Sequence, residues 1–159
     1  MAALPVAPEW EPVCWPAGGA DVDRASLELR SMAQALQPWR WPEVWPPDSE
    51  LAMRAATYAK HVGRAVAFSL AAFRQAYAGG RDLGSQDTVL IAAAACEMHP
   101  AAVLKGIELR SVRQGLDAAR ARAYAAGVGS VPAIQIDDAV FEGEDCVERA
   151  ASVLGGHGH

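Results

Sequence analysis

The stretch GVGSVPAIQIDDAVFEGEDCVERAASVL, residues 127–154, decides the fold because its hydrophobic period changes within it. PAIQI (132–136) and AVFEG (139–143) are short apolar runs of β-type. Asp137-Asp138 between them suits a tight turn, so the two runs predict a hairpin. From Glu144 to Leu154 the spacing predicts a closing helix. The hairpin is entered through Val131-Pro132. An X-Pro bond is held cis for only about 0.5–1 kcal/mol, so a turn there accommodates either a cis proline or a trans proline that begins the strand.

Upstream, the pattern is helical. Asp21 or Asp23 is placed to open a helix over VDRASLELRSMAQAL (22–36), which Pro38 stops. PWRWPEVWPPD (38–48) holds three Trp and four Pro. The prolines forbid regular hydrogen bonding and the tryptophans need a surface to cover, which predicts an ordered, packed loop. Asp48 caps SELAMRAATYAKHVG, where Leu51, Ala55, Tyr58 and Ala59 share a face and Gly63 is the stop. Arg64 to Ala78 follows as a second helix with Val66, Leu70, Phe73 and Tyr77 in one stripe. Ser85 or Asp87 opens TVLIAAAACEM, His99-Pro100 breaks it, and Pro100 suits the first turn of AAVLKGIEL. Ser111 is placed to cap VRQGLDAARARAYAAG, closed by Gly127. At the other end, Trp10 to Trp15 reads as a short strand, with Pro12 better suited to an edge than to a central position.

The chain has 159 residues, 52% hydrophobic and 21% charged, which fits one domain or one domain with an insertion. A net charge of -5 argues against a nucleic-acid surface. The apolar run Val89 to Cys96 falls well short of the roughly 18 residues of a membrane span. The first dozen residues lack a basic region and an apolar core of signal-peptide length, so the expected location is cytoplasmic. Cys14, Cys96 and Cys146 form no Cys-x-x-Cys and no zinc spacing, so no metal site is expected. Cys96 and Cys146 read as buried free thiols. Acidic Glu142, Glu144, Asp145 and Glu148 surround Cys146 and oppose its ionisation. His61 and His99 sit near helix ends, where an electrostatically comfortable histidine is commoner than a base. Arg40 and the tryptophans could form a cation–π or anion-binding patch, with packing of the loop over the helical block the commoner outcome, and Arg110, Arg113, Arg120 and Arg122 read as a solvated face with Asp117.

The hairpin with its closing helix resembles the C-terminal half of a thioredoxin fold, with Pro132 in the place of that fold's cis proline. The block PPDSELAMRAATYAKHVGRAVAFSLAAFRQAYAGGRDLGSQDTVLIAAAACEMHPAAVLKGIE (46–108) resembles the helical domain inserted in DsbA-like proteins. These include FrnE-type oxidoreductases and glutathione-dependent 2-hydroxychromene-2-carboxylate isomerases. WEPVCWPAGG (10–19) looks like the family's second strand. The implied fold is α/β, an incomplete thioredoxin-like fold: residues 8–20 and 127–155 form the thioredoxin-like part and 21–126 the helical insertion. The family opens with a strand, Cys-x-x-Cys or a Ser-led variant, and a helix. This chain starts where that helix should end, so it reads as N-terminally truncated, its catalytic residues unknown and its redox chemistry impaired.

What the resemblance leaves is a groove at Ser130, Val131 and Pro132. A cis Pro132 directs the N–H and C=O of Val131 outward, where an extended peptide or glutathione adds as a short strand. No cofactor beyond glutathione is implied. Without the family's first strand, backbone groups on both sides are orphaned, at about 1–3 kcal/mol for each buried group. Three arrangements relieve this: pairing of the strand around Val13 with Ala133 to Ile136, homodimerisation, or sequence upstream of Met1.

Overall fold

The computed structural model describes residue 4 and residues 6–16, 23–33 and 38–156. Its elements run α1 (Arg24–Ala33), α2 (Glu50–His61), α3 (Ala65–Tyr77), α4 (Gln86–Ala95), α5 (Pro100–Glu108), α6 (Arg110–Ala125), β1 (Ala133–Ile136), β2 (Ala139–Glu142) and α7 (Cys146–Gly156). The arrangement is a helical block followed by a hairpin with one helix packed on it. No helix of the described residues is long and apolar enough to cross a membrane.

Short polar side chains start several helices. Asp23 Oδ1 accepts the Ser26 N–H at 3.0 Å, and Asp48 Oδ1 accepts the Glu50 N–H at 3.1 Å. Asp21 and the end of the first predicted helix, 34–36, lie outside the described residues. His99 Nδ1 accepts the Ala101 N–H at 3.2 Å, with Pro100 opening α5, so this histidine is an N-cap. Ser111 is not a cap. Helix α6 begins at Arg110, and extended Leu109 holds the boundary, its carbonyl accepting the Val112 and Arg113 N–H groups at 3.1 and 3.2 Å.

The core is built mostly from small residues. Ala52, Ala55 and Ala59 of α2 meet Ala71, Ala72 and Ala76 of α3 and Ala92 and Ala93 of α4, with Phe68, Val89 and Val103 as the larger fillers. Small side chains let the helix axes approach closely. Gly106 is the extreme case: a Cβ there would stand 2.5 Å from the Tyr58 ring. The glycine costs about 1 kcal/mol of helix propensity, and the contact between α2 and α5 requires it.

One further expectation is corrected. Trp10 to Trp15 is not a strand. Pro12 and Pro16 have no N–H to give a ladder. The segment is instead tied to the helices: Lys60 pairs with Glu9 at 2.8 Å and Glu11 at 3.0 Å, Arg122 with Glu11 at 3.2 Å, and Trp15 stacks on Tyr124 at 4.5 Å. The sheet of the described residues is therefore β1 and β2 alone, without the pairing to Val13. Val66, Leu70 and Phe73 share the predicted stripe of α3, which faces outward and ends at half-buried Tyr77. Phe68, Ala71, Ala72 and Ala76 form the opposite side, packed in the core with the alanines of α2 and α4. The cation–π contact beside the tryptophans comes from Arg24, 4.8 Å above Trp41.

The Trp/Pro loop is ordered and packed, as its composition requires. Trp39, Trp41 and Trp45 gather around Tyr77 with centroids 5.0–6.1 Å apart. The indole N–H groups of Trp39 and Trp41 donate to Ser31 Oγ at 2.5 Å and Glu28 Oε1 at 2.6 Å, which ties α1 to the loop.

Helix α4 ends with Glu97 at φ 62, the left-handed position that favours glycine. Its N–H donates to Ala94 O and the Met98 N–H to Ala93 O, at 3.1 and 3.0 Å, which closes the last turn over buried Met98. Glu97→Gly relieves the left-handed cost and should raise unfolding stability by about 0.5–1 kcal/mol in urea titrations. Gly106→Ala forces its new methyl into the Tyr58 ring and should cost about 1–3 kcal/mol by the same measurement.

Candidate functional site

The sequence places the site where the helical block hands over to the hairpin. Gly127, at φ 83, turns the chain out of α6, and Val128 is buried behind it. Gly129 to Pro132 then cross the open surface before β1 begins. The Val131-Pro132 peptide is cis, and so is Trp45-Pro46 in the Trp/Pro loop, which had no sequence signal beyond its proline. Val131 is 45% exposed. Among the described residues, neither its N–H nor its C=O takes a hydrogen-bond partner.

The hairpin holds this crossing in place. β1 and β2 pair antiparallel, with Ala133 opposite Glu142 and Ile136 opposite Ala139. The connecting turn has Asp137 at φ 49, its carbonyl accepting from Gln135 Nε2 at 2.8 Å. Because Glu142 ends β2 opposite the start of β1, its carboxylate reaches the segment before Pro132. It accepts from the Gly129 N–H at 2.5 Å and the Ser130 hydroxyl at 3.0 Å. The Gly129 N–H, then the Ser130 hydroxyl and N–H, hold the Glu142 carboxyl below the usual carboxylate range. Arg149 of α7 donates to Glu142 O at 3.2 Å and to Asp145 at 3.1 Å, and lies over Phe141 at 5.6 Å. Arg30 of α1 reaches Glu144 at 2.5 Å and links the chain just past β2 to the helix tied to the tryptophan loop.

The three site candidates, Ser130, Val131 and Pro132, are thus contiguous and exposed. Glu142 was missed as their holder. The sequence marked it only as part of an acidic cluster around Cys146, and its role depends on strand register. The other candidates lie elsewhere. Cys96 is buried in the helical core, its Sγ within 3.4 and 3.2 Å of the Ala92 and Ala93 carbonyls, and burial pushes its thiol up. Cys146 is buried at the start of α7, and Cys14 is half-buried; all three are free. His61 ends α2, and His99 is occupied as a cap. Arg120 pairs with Asp117 at 3.8 Å on α6. Among the described residues no cluster of three or more His, Cys, Asp or Glu could hold a metal ion.

A hairpin covered by a terminal helix, entered through a proline and preceded by a helical insert, defines a thioredoxin-like class. Residues 13–155 match the model of the DSBA-like thioredoxin domain, and the chain belongs to that family. A solved structure of a 2-hydroxychromene-2-carboxylate isomerase superposes with a TM-score of 0.71 at 17% identity. The match covers 85% of this chain and 66% of the isomerase, so the chain spans just under two thirds of that protein's length. No curated protein matches.

A carboxyl with a lowered folded value stabilises in full above the ordinary carboxylate range, and that contribution fades as pH falls through the lowered value. Wild type and Glu142→Ala should therefore differ in unfolding midpoint at pH 7, and the difference should shrink as pH falls below the ordinary glutamate value of about 4.3 and through the lowered one. Amide exchange at Gly129 and Ser130 should be faster in Glu142→Ala at pH 7. Equal exchange in the two proteins would show that the carboxylate does not hold the segment.

Proposed function

We propose that this DsbA-family protein binds a thiol-containing or extended peptide at Ser130-Val131-Pro132, with glutathione as the small-molecule candidate, and is impaired as a disulfide oxidoreductase. One observation carries the reading: Val131 presents an N–H and a C=O to solvent on a segment fixed from behind by Glu142. Such a pair is the minimal edge on which an extended peptide adds by backbone hydrogen bonds. The redox side rests on the cysteines. The sequence has no Cys-x-x-Cys, and the thiol whose environment is perturbed, Cys96, is shifted away from ionisation by burial. Three free cysteines fit a reducing compartment, which supports a cytoplasmic location.

A second reading, a glutathione-dependent isomerase relative, draws on the isomerase with which the fold superposes. It shares the glutathione site and differs in requiring a reacting group beside it.

Glutathione at tenfold over a millimolar dissociation constant should stabilise the protein by about 1.4 kcal/mol, a rise of a few degrees in melting temperature. Amide resonances of Ser130, Val131 and Ala133 should shift in the same titration. In insulin reduction by dithiothreitol, the protein should leave the rate unchanged. Shifts confined to other residues would refute the site, and acceleration of insulin reduction would refute the redox assignment. Glutathione-dependent turnover of a hydroxychromene carboxylate would select the isomerase.

A further inference from the structure

Charge is divided unevenly along the chain. Residues 127–156, which span the site, the hairpin and its closing helix, hold six acidic side chains and one basic one, Arg149, a formal charge of -5. That equals the charge of the whole chain, so the other residues balance to zero. Within this unit Glu144 is paired with Arg30, and Asp145 with Arg149. Glu142 is held by neutral donors, the Gly129 N–H and the Ser130 hydroxyl. Among the described residues no cation pairs with the side chains of Glu142, Asp137, Asp138 or Glu148.

The unpaired charges flank an open edge. The turn at Asp137-Asp138 joins Ile136 to Ala139, so Ile136 with Ala139 and Ile134 with Phe141 are the hydrogen-bonded pairs of the hairpin. Ala133 and Gln135 therefore direct their N–H and C=O groups to the other side, where β1 has no neighbouring strand among the described residues. Val131, with both backbone groups unpaired, stands ahead of them. From Val131 to Gln135 the edge runs about 13 Å, at about 3.3 Å per residue. The Glu142 carboxylate lies at the Val131 end, and Asp137 and Asp138 follow the other end.

We propose that the ligand of this edge is an extended peptide with a basic side chain toward each end. The inference rests on the reading of Ser130-Val131-Pro132 as a peptide site and adds the ligand's charge and span. Backbone hydrogen bonds to Val131, Ala133 and Gln135 hold the peptide as an added strand. A lysine or arginine at one end meets Glu142, and one at the other end meets Asp137 and Asp138. The uncompensated charge of the whole unit draws a cationic chain in from solution and repels an anionic one. By the same sign, anionic glutathione is the weaker ligand. Each exposed pair is weak, so selectivity is the sum of several and depends on salt.

Amide resonances of the isotope-labelled whole chain, titrated with three peptides, test this. The peptides are Lys-Val-Thr-Val-Thr-Val-Lys and the same core with Gln or Glu at both ends. In about 50 mM salt the Lys peptide should shift Val131, Ala133 and Gln135 and bind about tenfold more tightly than the Glu peptide, with the Gln peptide between them. In about 500 mM salt the gap should close to about twofold. Asp137→Asn combined with Asp138→Asn, at a turn that asparagine accepts, should weaken the Lys peptide severalfold and leave the Gln peptide unchanged. If that double variant does not fold, the salt series on wild type decides alone. A Glu peptide that binds as tightly as the Lys peptide, or a Lys peptide indifferent to salt, overturns the inference and leaves the site standing. If no peptide moves Val131, Ala133 or Gln135, the site and the inference fall together.

Discussion

The helical block rests on close approach between alanine-rich faces. Ala55, Ala59, Ala92 and Ala93 are fully buried, and at Gly106 even a methyl group would strike Tyr58. Each alanine buries little area, roughly one methylene's worth at about 0.8 kcal/mol, but it brings backbones together and multiplies dispersion contacts. The consequence is exclusion. A core built on alanine has room for Phe68, Leu83, Val89, Met98, Val103 and Ile107, and other bulky side chains lie on its margins. The tryptophans of 38–48 collect around Tyr77 at the edge of the block, and Val66, Leu70 and Phe73 line its outside. Both features follow from one packing choice.

The hairpin obeys a different constraint. Two four-residue strands are too few to be stable alone in water. They persist because α7 packs on them through buried Cys146 and Ala150, and because Arg149 and Glu142 fasten their open end. The device that holds the hairpin also fixes the segment ahead of Pro132. Exposure of Val131 is thereby made compatible with order: its neighbours are pinned, while its own backbone groups have no hydrogen-bond partner among the described residues.

Much of this was legible in the sequence where a signal is local. Asp23, Asp48 and Pro100 mark helix starts because capping depends on residues within one turn, and the hairpin declared itself through strand composition around Asp137-Asp138. Signals that depend on a partner were misread. WEPVCW alternates like a strand, yet alternation describes two faces and not a ladder, and its prolines and ion pairs bind it to α2 and α6 instead. The stripe of Val66, Leu70, Phe73 and Tyr77 was legible as a stripe, but the sequence did not say which of the two apolar sides of α3 meets α2 and α4. Ser111 looked like a cap because Leu109, which ends α5 and starts α6, carries no capping side chain. At the site, Ser130 to Pro132 could be named from the proline, whereas Glu142 could be found only through strand register.

Arg30 and Glu144 tie these two economies together. The pair is exposed, and alone contributes at most about 1 kcal/mol. Its importance is geometric. Arg30 lies on α1, which the indoles of Trp39 and Trp41 fasten to the loop around Tyr77, while Glu144 leads into α7, which fastens the hairpin. The route from Tyr77 of α3 to the Val131 segment therefore runs through aromatic contacts, two indole hydrogen bonds, one ion pair and Arg149. Each step is weak or exposed, so the helical block and the hairpin hold their relative placement through the sum of these contacts and not through any one of them.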